Sequence, residues 1–101
     1  METRHSKDLL EYLCHGILTL QTAEECKHFL EDLCTPSELA EMSRRLHAAK
    51  MLQGNRIYAD IAKETGLSTA TISRVNRCLK YGAGGGYLAI LERLDKEDRR
   101  R

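Results

Sequence analysis

Within this chain of 101 residues, no stretch restricts the fold more than Tyr58 to Lys80, YADIAKETGLSTATISRVNRCLK. Ala59, Ile61 and Ala62 place apolar side chains on one face of a short helix. Gly66 supplies the positive φ that turns a chain sharply after a helix without steric cost. Leu67 is placed to plug the corner. Ser68 is a good N-cap for a second helix, whose apolar residues Ile72, Val75 and Leu79 recur at helical spacing. Two helices and a tight turn are required here, and the rest of the chain has to pack around them.

The second helix carries a face of another kind. Ser68, Thr69, Ala70, Thr71, Ser73, Arg74, Arg77 and Lys80 bring small side chains, hydroxyls and cations to the side opposite the apolar one. Such a face suits a helix that enters a groove of double-stranded DNA, and the pair reads as a helix-turn-helix. Ser68, Thr71, Arg77 and Lys80 are expected on phosphates, with Arg74 as the guanine reader. A solvated charged surface is the plainer reading of each cation, but shared hydroxyls on one face favour DNA. Tyr58 and Tyr81 are better read as cover for the edge of the core.

Net charge is only +1, yet its distribution is uneven. Residues 1–43 hold three basic and nine acidic side chains, whereas 44–80 hold eight basic and two acidic. That asymmetry predicts a basic binding face beside an acidic assembly region.

Upstream, Leu9, Leu10, Leu13, Cys14, Ile17 and Leu18 follow helical spacing after a polar start, Met1–Lys7, expected to fray. Thr22-Ala-Glu-Glu25 is a capping box for a helix presenting Ala23, Cys26, Phe29, Leu30 and Leu33. Two such broad apolar faces cannot satisfy each other and also cover the remaining chain, which points to burial by a partner copy. Thr35-Pro-Ser-Glu38 caps a long helix with proline at its first position. Its apolar side is read as Leu39, Met42, Leu46, Ala49 and Leu52, and Gly54 ends it. After Lys80, the glycines to Gly86 read as a flexible joint. A last amphipathic helix follows, with a charged tail expected to fray and able to reach a phosphate. The expected organisation is one all-α domain, 1–101, of about six helices. Its parts are a dimerisation arm (1–34), a long core helix (35–54), the helix-turn-helix (58–80) and a C-terminal helix (87–95).

Other functional classes find little support. No nucleophile sits beside a base at useful spacing, so an enzyme is not expected. Cys14, Cys26, Cys34 and Cys78 form no metal-binding spacing with each other or with the histidines, so neither metal nor disulfide is expected. No window reaches the ~18 apolar residues of a membrane span, and METRHSKD has no signal-peptide core. The expected location is the cytoplasm.

TPSELAEMSRRLHAAKMLQG followed by YADIAKETGLSTATISR resembles the core of the Trp repressor family, and most closely its YerC/YecD branch. The likeness is specific in TPSE and ETGLSTATISR and weaker over Met1–Leu33. It implies an intertwined, all-helical homodimer with two reading heads that regulates transcription, as a repressor, from a palindromic operator. Carried over residue by residue, Thr69, Ala70 and Thr71 match the tip of the reading helix. Arg74 matches an arginine between DNA and an effector pocket, and Thr35 a threonine lining that pocket from the other subunit. A further pocket arginine falls at Arg44 or Arg45. One departure stands out. After the matching arginine, the family's tryptophan-binding member has glycine, which leaves room for an indole, whereas this chain has Val75. Overpacking a buried site typically costs ~1–3 kcal/mol, and a planar ligand has less room to adapt. The expectation is a DNA-binding regulator without tryptophan as corepressor and without another cofactor. The rival is a helix-turn-helix adaptor that docks on protein.

Overall fold

A computed structural model describes residues 3–100. It is all-α, with α1 (Thr3–Leu18), α2 (Ala23–Leu33), α3 (Pro36–Gln53), α4 (Tyr58–Thr65), α5 (Thr69–Tyr81) and α6 (Gly86–Arg100). No strand occurs among the described residues. The chain divides into two compact units, Met1–Leu39 and Ala40–Arg101. The division falls inside α3, whose first turn is tied to the capping residue Thr35.

In the first unit the caps organise the backbone. Thr35 Oγ1 accepts from Glu38 N at 3.1 Å, and Glu38 Oε1 accepts from Thr35 N at 2.8 Å. Those bonds from Thr35 hold the Glu38 carboxyl below its ordinary range. At α2, Thr22 Oγ1 accepts from Glu25 N at 3.0 Å, while Glu25 reaches one residue further back than a standard box, to Gln21 N at 3.1 Å. Helix α1 begins at Thr3, so residues 3–7 continue the helix instead of fraying; the expectation for Met1 and Glu2 lies outside the described residues. None of the described residues of this unit is buried. Cys26, Phe29 and Leu30 are half-buried, whereas Ala23 and Leu33 are exposed. Leu9, Tyr12, Leu13, Phe29 and Leu33 line an apolar cleft between α1 and α2.

The second unit contains the core. One cluster joins Ala48 and Met51 of α3 to Ile61 of α4, Leu67 of the turn and Ile72 of α5, with Leu52, Tyr58 and Ala62 against it. Ala49, Val75, Leu79 and Leu91 form a second cluster, which anchors α6. The inward face of α3 is therefore Ala48-Ala49-Met51, with Leu52 half-buried. Met42 and Leu46, read from the sequence as part of that face, are exposed. Ala48 and Ala49 have no exposure at all and contribute small side chains to the two clusters. Ala59, also expected inside, is exposed.

The segment after α5 is tighter than the joint expected from its glycines. Gly82 N donates to Cys78 O at 2.9 Å, and a Cβ at Gly82 would collide with that same oxygen. Glycine is needed there for space. Helix α6 starts at Gly86 and runs to Arg100, past the expected 87–95 span and through most of the tail expected to fray. Lys96–Glu92 at 3.3 Å and Arg99–Asp95 at 3.1 Å explain the extension, each an acid four residues N-terminal to a base. Arg101 lies outside the described residues. No described helix is long and apolar enough to cross a membrane.

Candidate nucleic-acid interface

The α4–α5 pair is built by local chemistry before packing. Gly66 sits at φ 76°, ψ 5°, and its N–H returns to Ala62 O at 2.8 Å, closing α4. A residue with a Cβ would be strained in that left-handed conformation. Leu67 follows, 6% exposed, under the corner. Thr65 is the polar residue that the sequence did not single out. Buried, it donates from Oγ1 to Ile61 O at 2.6 Å and accepts from Leu67 N at 3.2 Å. It thus replaces in the turn the backbone partner that Leu67 N would otherwise lack. Its only sequence signal is a hydroxyl residue directly before the turn glycine.

Ser68 then caps α5 as expected, its Oγ accepting from Thr71 N at 3.1 Å and donating to Thr71 Oγ1 at 3.1 Å. With Ile72, Val75 and Leu79 buried, the remaining face of α5 is directed outward. Thr69, Ala70, Arg74, Arg77 and Lys80 are exposed along it, and Ser68 at its start, while Thr71 and Ser73 are half-buried. Among the described residues, Arg74, Arg77 and Lys80 enter no ion pair. Their charges are available to an outside anion. Tyr58 packs against the core, in line with its reading, but Tyr81 is 80% exposed and covers nothing.

Beside α5 lies a cleft of about 370 Å³ lined by Glu41 and Arg45 of α3, Thr71, Arg74, Val75 and Cys78 of α5, and Tyr87 of α6. Arg45 lines this cleft, whereas Arg44 does not and is exposed. The Nε of Arg45 is buried without a hydrogen-bond partner among the described residues. Val75 is 2% exposed and packs with Ala49, Leu79 and Leu91, so the cleft floor is filled by a core side chain. Thr35 belongs to the first unit and caps α3 there. Of the four cysteines, Cys14 and Cys78 are exposed and Cys26 and Cys34 half-buried.

The model of the Trp repressor protein family matches residues 8–95, from α1 into α6. The chain belongs to the Trp repressor family. It is 45% identical over 89 residues to the uncharacterized protein YerC of Bacillus subtilis (strain 168), covering 88% of this chain and 85% of that one. Its fold is similar to the crystal structure of a TrpR-like protein from Eubacterium eligens, with a TM-score of 0.81 and 49% identity. That match covers 87% of this chain and 90% of the other. A Trp repressor candidate from Staphylococcus aureus gives a TM-score of 0.82 at 42% identity, covering 94% and 96%. Both solved structures share the all-α fold of this chain over most of its length.

Proposed function

We propose that the protein is a sequence-specific DNA-binding regulator of transcription, a repressor acting as a homodimer. What carries the reading is the outward face of α5: a Ser68-capped helix whose exposed hydroxyls and unpaired arginines stand opposite a fully packed apolar side. Phosphate contacts fix such a helix on the duplex, and an arginine reads guanine in the major groove. Membership of the Trp repressor family supports the same reading.

Homodimerisation is supported by the first unit. Leu9, Leu10, Tyr12 and Leu18 are each more than half exposed, and none of the unit's described residues is buried. Covering a leucine of this kind contributes about 1.5–3 kcal/mol, which a second copy supplies and water does not. Two copies also present two reading heads.

Tryptophan is not the effector in this reading. Val75 occupies the floor where the family's tryptophan-binding member has glycine, and it is packed among core residues. Arg45 and Arg74 still line the cleft, and Thr35 of a partner copy completes the proposed pocket, while Arg44 stays on the surface. Calorimetric titration with tryptophan is expected to give no micromolar binding; a micromolar isotherm removes this part of the proposal.

Function as a whole is tested with duplex DNA. The purified protein should bind random duplex with an affinity that falls steeply with salt, and should enrich a common sequence from random fragments. A protein that pulls down a protein partner yet binds duplex at no salt concentration is an adaptor, and the DNA reading is then lost.

A further inference from the structure

Helix α4 is only eight residues long, and its N-cap Ile57 offers no side-chain cap. Its attitude on α3 depends on what surrounds it. At the corner, Gly54 N donates to Met51 O at 3.0 Å, Asn55 takes a left-handed conformation at φ 60°, and Arg56 N donates to Met51 O at 3.1 Å. Asparagine is among the few residues that tolerate such a φ. The chain therefore leaves α3 along one defined path. Ile61 and Thr65 hold the inner side of α4.

On the outer side, His47 Nε2 of α3 meets Glu64 Oε2 of α4 at 2.5 Å, across seventeen positions of sequence. Arg56 reaches the other carboxylate oxygen at 4.0 Å and Asp60 at 3.9 Å. Glu64 is thus shared between α3 and the link, at the end of α4 next to the Thr65–Gly66 turn. Arg44 and Lys50 flank His47 on α3 at helical spacing, and Lys63 adjoins Glu64 on α4. From α5, Arg74 lines the cleft beside Arg45.

We propose that His47 and Glu64 are positioning residues for the reading head: the pair holds α4, and with it α5, in the attitude that DNA requires, and it tightens when His47 takes up a proton. The inference rests on the DNA binding proposed above. A neutral imidazole N–H already donates to a carboxylate, and the protonated ring turns that bond into a charge-assisted one. Histidine is the side chain that makes this change near physiological pH. The partner is ready for it, since the hydrogen bond from His47, helped by its charge and by Arg56, holds the Glu64 carboxyl below its ordinary range. Charge assistance from a protonated ring strengthens the bond to the Glu64 carboxylate. Both side chains are about half exposed. Such pairs add little to folding, so melting temperatures are expected to stay close to that of the wild type.

The test compares the wild type with His47→Gln, His47→Ala and Glu64→Gln on a duplex selected by the wild-type protein, between pH 5.5 and 8. Wild-type affinity should rise about threefold as pH falls across this range, the scale of an exposed ion pair. That rise should vanish in both His47→Gln and Glu64→Gln, with melting temperatures unchanged. Glu64→Gln is the decisive arm, because it keeps the imidazole and whatever charge it carries while removing the carboxylate. If its pH profile stays parallel to the wild type, His47 acts through charge alone and the proposal is overturned. A large fall in melting temperature in all variants overturns it as well, by showing a merely structural pair. Carbon NMR of the Glu64 carboxyl separates the two readings. Its titration should move up in His47→Ala whether or not DNA binds, so absence of duplex binding in every protein strikes the DNA function and not the pair.

Discussion

Ile72→Ala will lower the stability of the folded protein by about 2–5 kcal/mol, the usual cost of truncating a fully buried aliphatic side chain. Ile72 has no exposure and is, with Ile61, among the largest completely buried side chains. It shares a buried cluster with Ala48 and Met51 of α3, Ile61 of α4 and Leu67 of the turn, so one truncation opens a cavity in a core to which three helices contribute. The surrounding alanines cannot extend to fill it. Denaturant unfolding at a fixed protein concentration measures the loss, since association would otherwise shift the midpoint. Ile57→Ala is the control: Ile57 is 63% exposed, and its truncation should change stability by less than about 0.5 kcal/mol. A loss below about 1 kcal/mol for Ile72→Ala would mean that the cluster is not the support of the helix-turn-helix.

Arg74→Ala and Arg77→Ala should fail in different ways. Both are exposed on α5 and free of ion pairs among the described residues. Arg74→Ala is expected to cost about 1–3 kcal/mol on the preferred duplex and to relax sequence choice, as loss of a guanine contact does. Arg77→Ala should weaken all duplexes alike and reduce the salt slope by about one, as loss of a phosphate contact does. Titrations on the selected and a scrambled duplex at several salt concentrations separate the two outcomes. Equal, sequence-blind losses at both positions would show that the roles are assigned to the wrong arginines.

Much of the local structure was legible because its causes are local. Thr22, Thr35 with Pro36 and Glu38, and Ser68 each mark a helix start through a side chain that satisfies a backbone donor within three residues. Gly66 marks the turn by the one backbone conformation that other residues avoid. The exposed face of α5 follows from helical spacing once Ile72, Val75 and Leu79 are inside. The length of α6 was also available: the acid–base pairs Glu92–Lys96 and Asp95–Arg99 stand four apart in the sequence, though a run of charge was read as fraying.

Other features depend on pairs of residues far apart in the chain. Helix α3 carries apolar side chains around more than one face, so spacing could not say that Ala48, Ala49 and Met51 would turn inward and Met42 and Leu46 outward. Packing of Ile61, Leu67, Ile72, Val75, Leu79 and Leu91 into the two clusters made that choice. The same packing put Arg45 on the cleft and Arg44 outside it, and buried Thr65 with two hydrogen bonds. His47 and Glu64 carried no signal at all until α3 and α4 were side by side.

The stretch from Tyr58 to Lys80 thus had its two helices, its turn and its outward chemistry determined by sequence alone, because capping, φ preference and periodicity act within a few residues. Tertiary structure alone decided what that stretch rests on: an alanine face of α3, a buried hydroxyl in the turn, a valine-filled cleft and a histidine–carboxylate pair. Those depend on which surfaces meet, and no residue specifies its distant neighbour by itself.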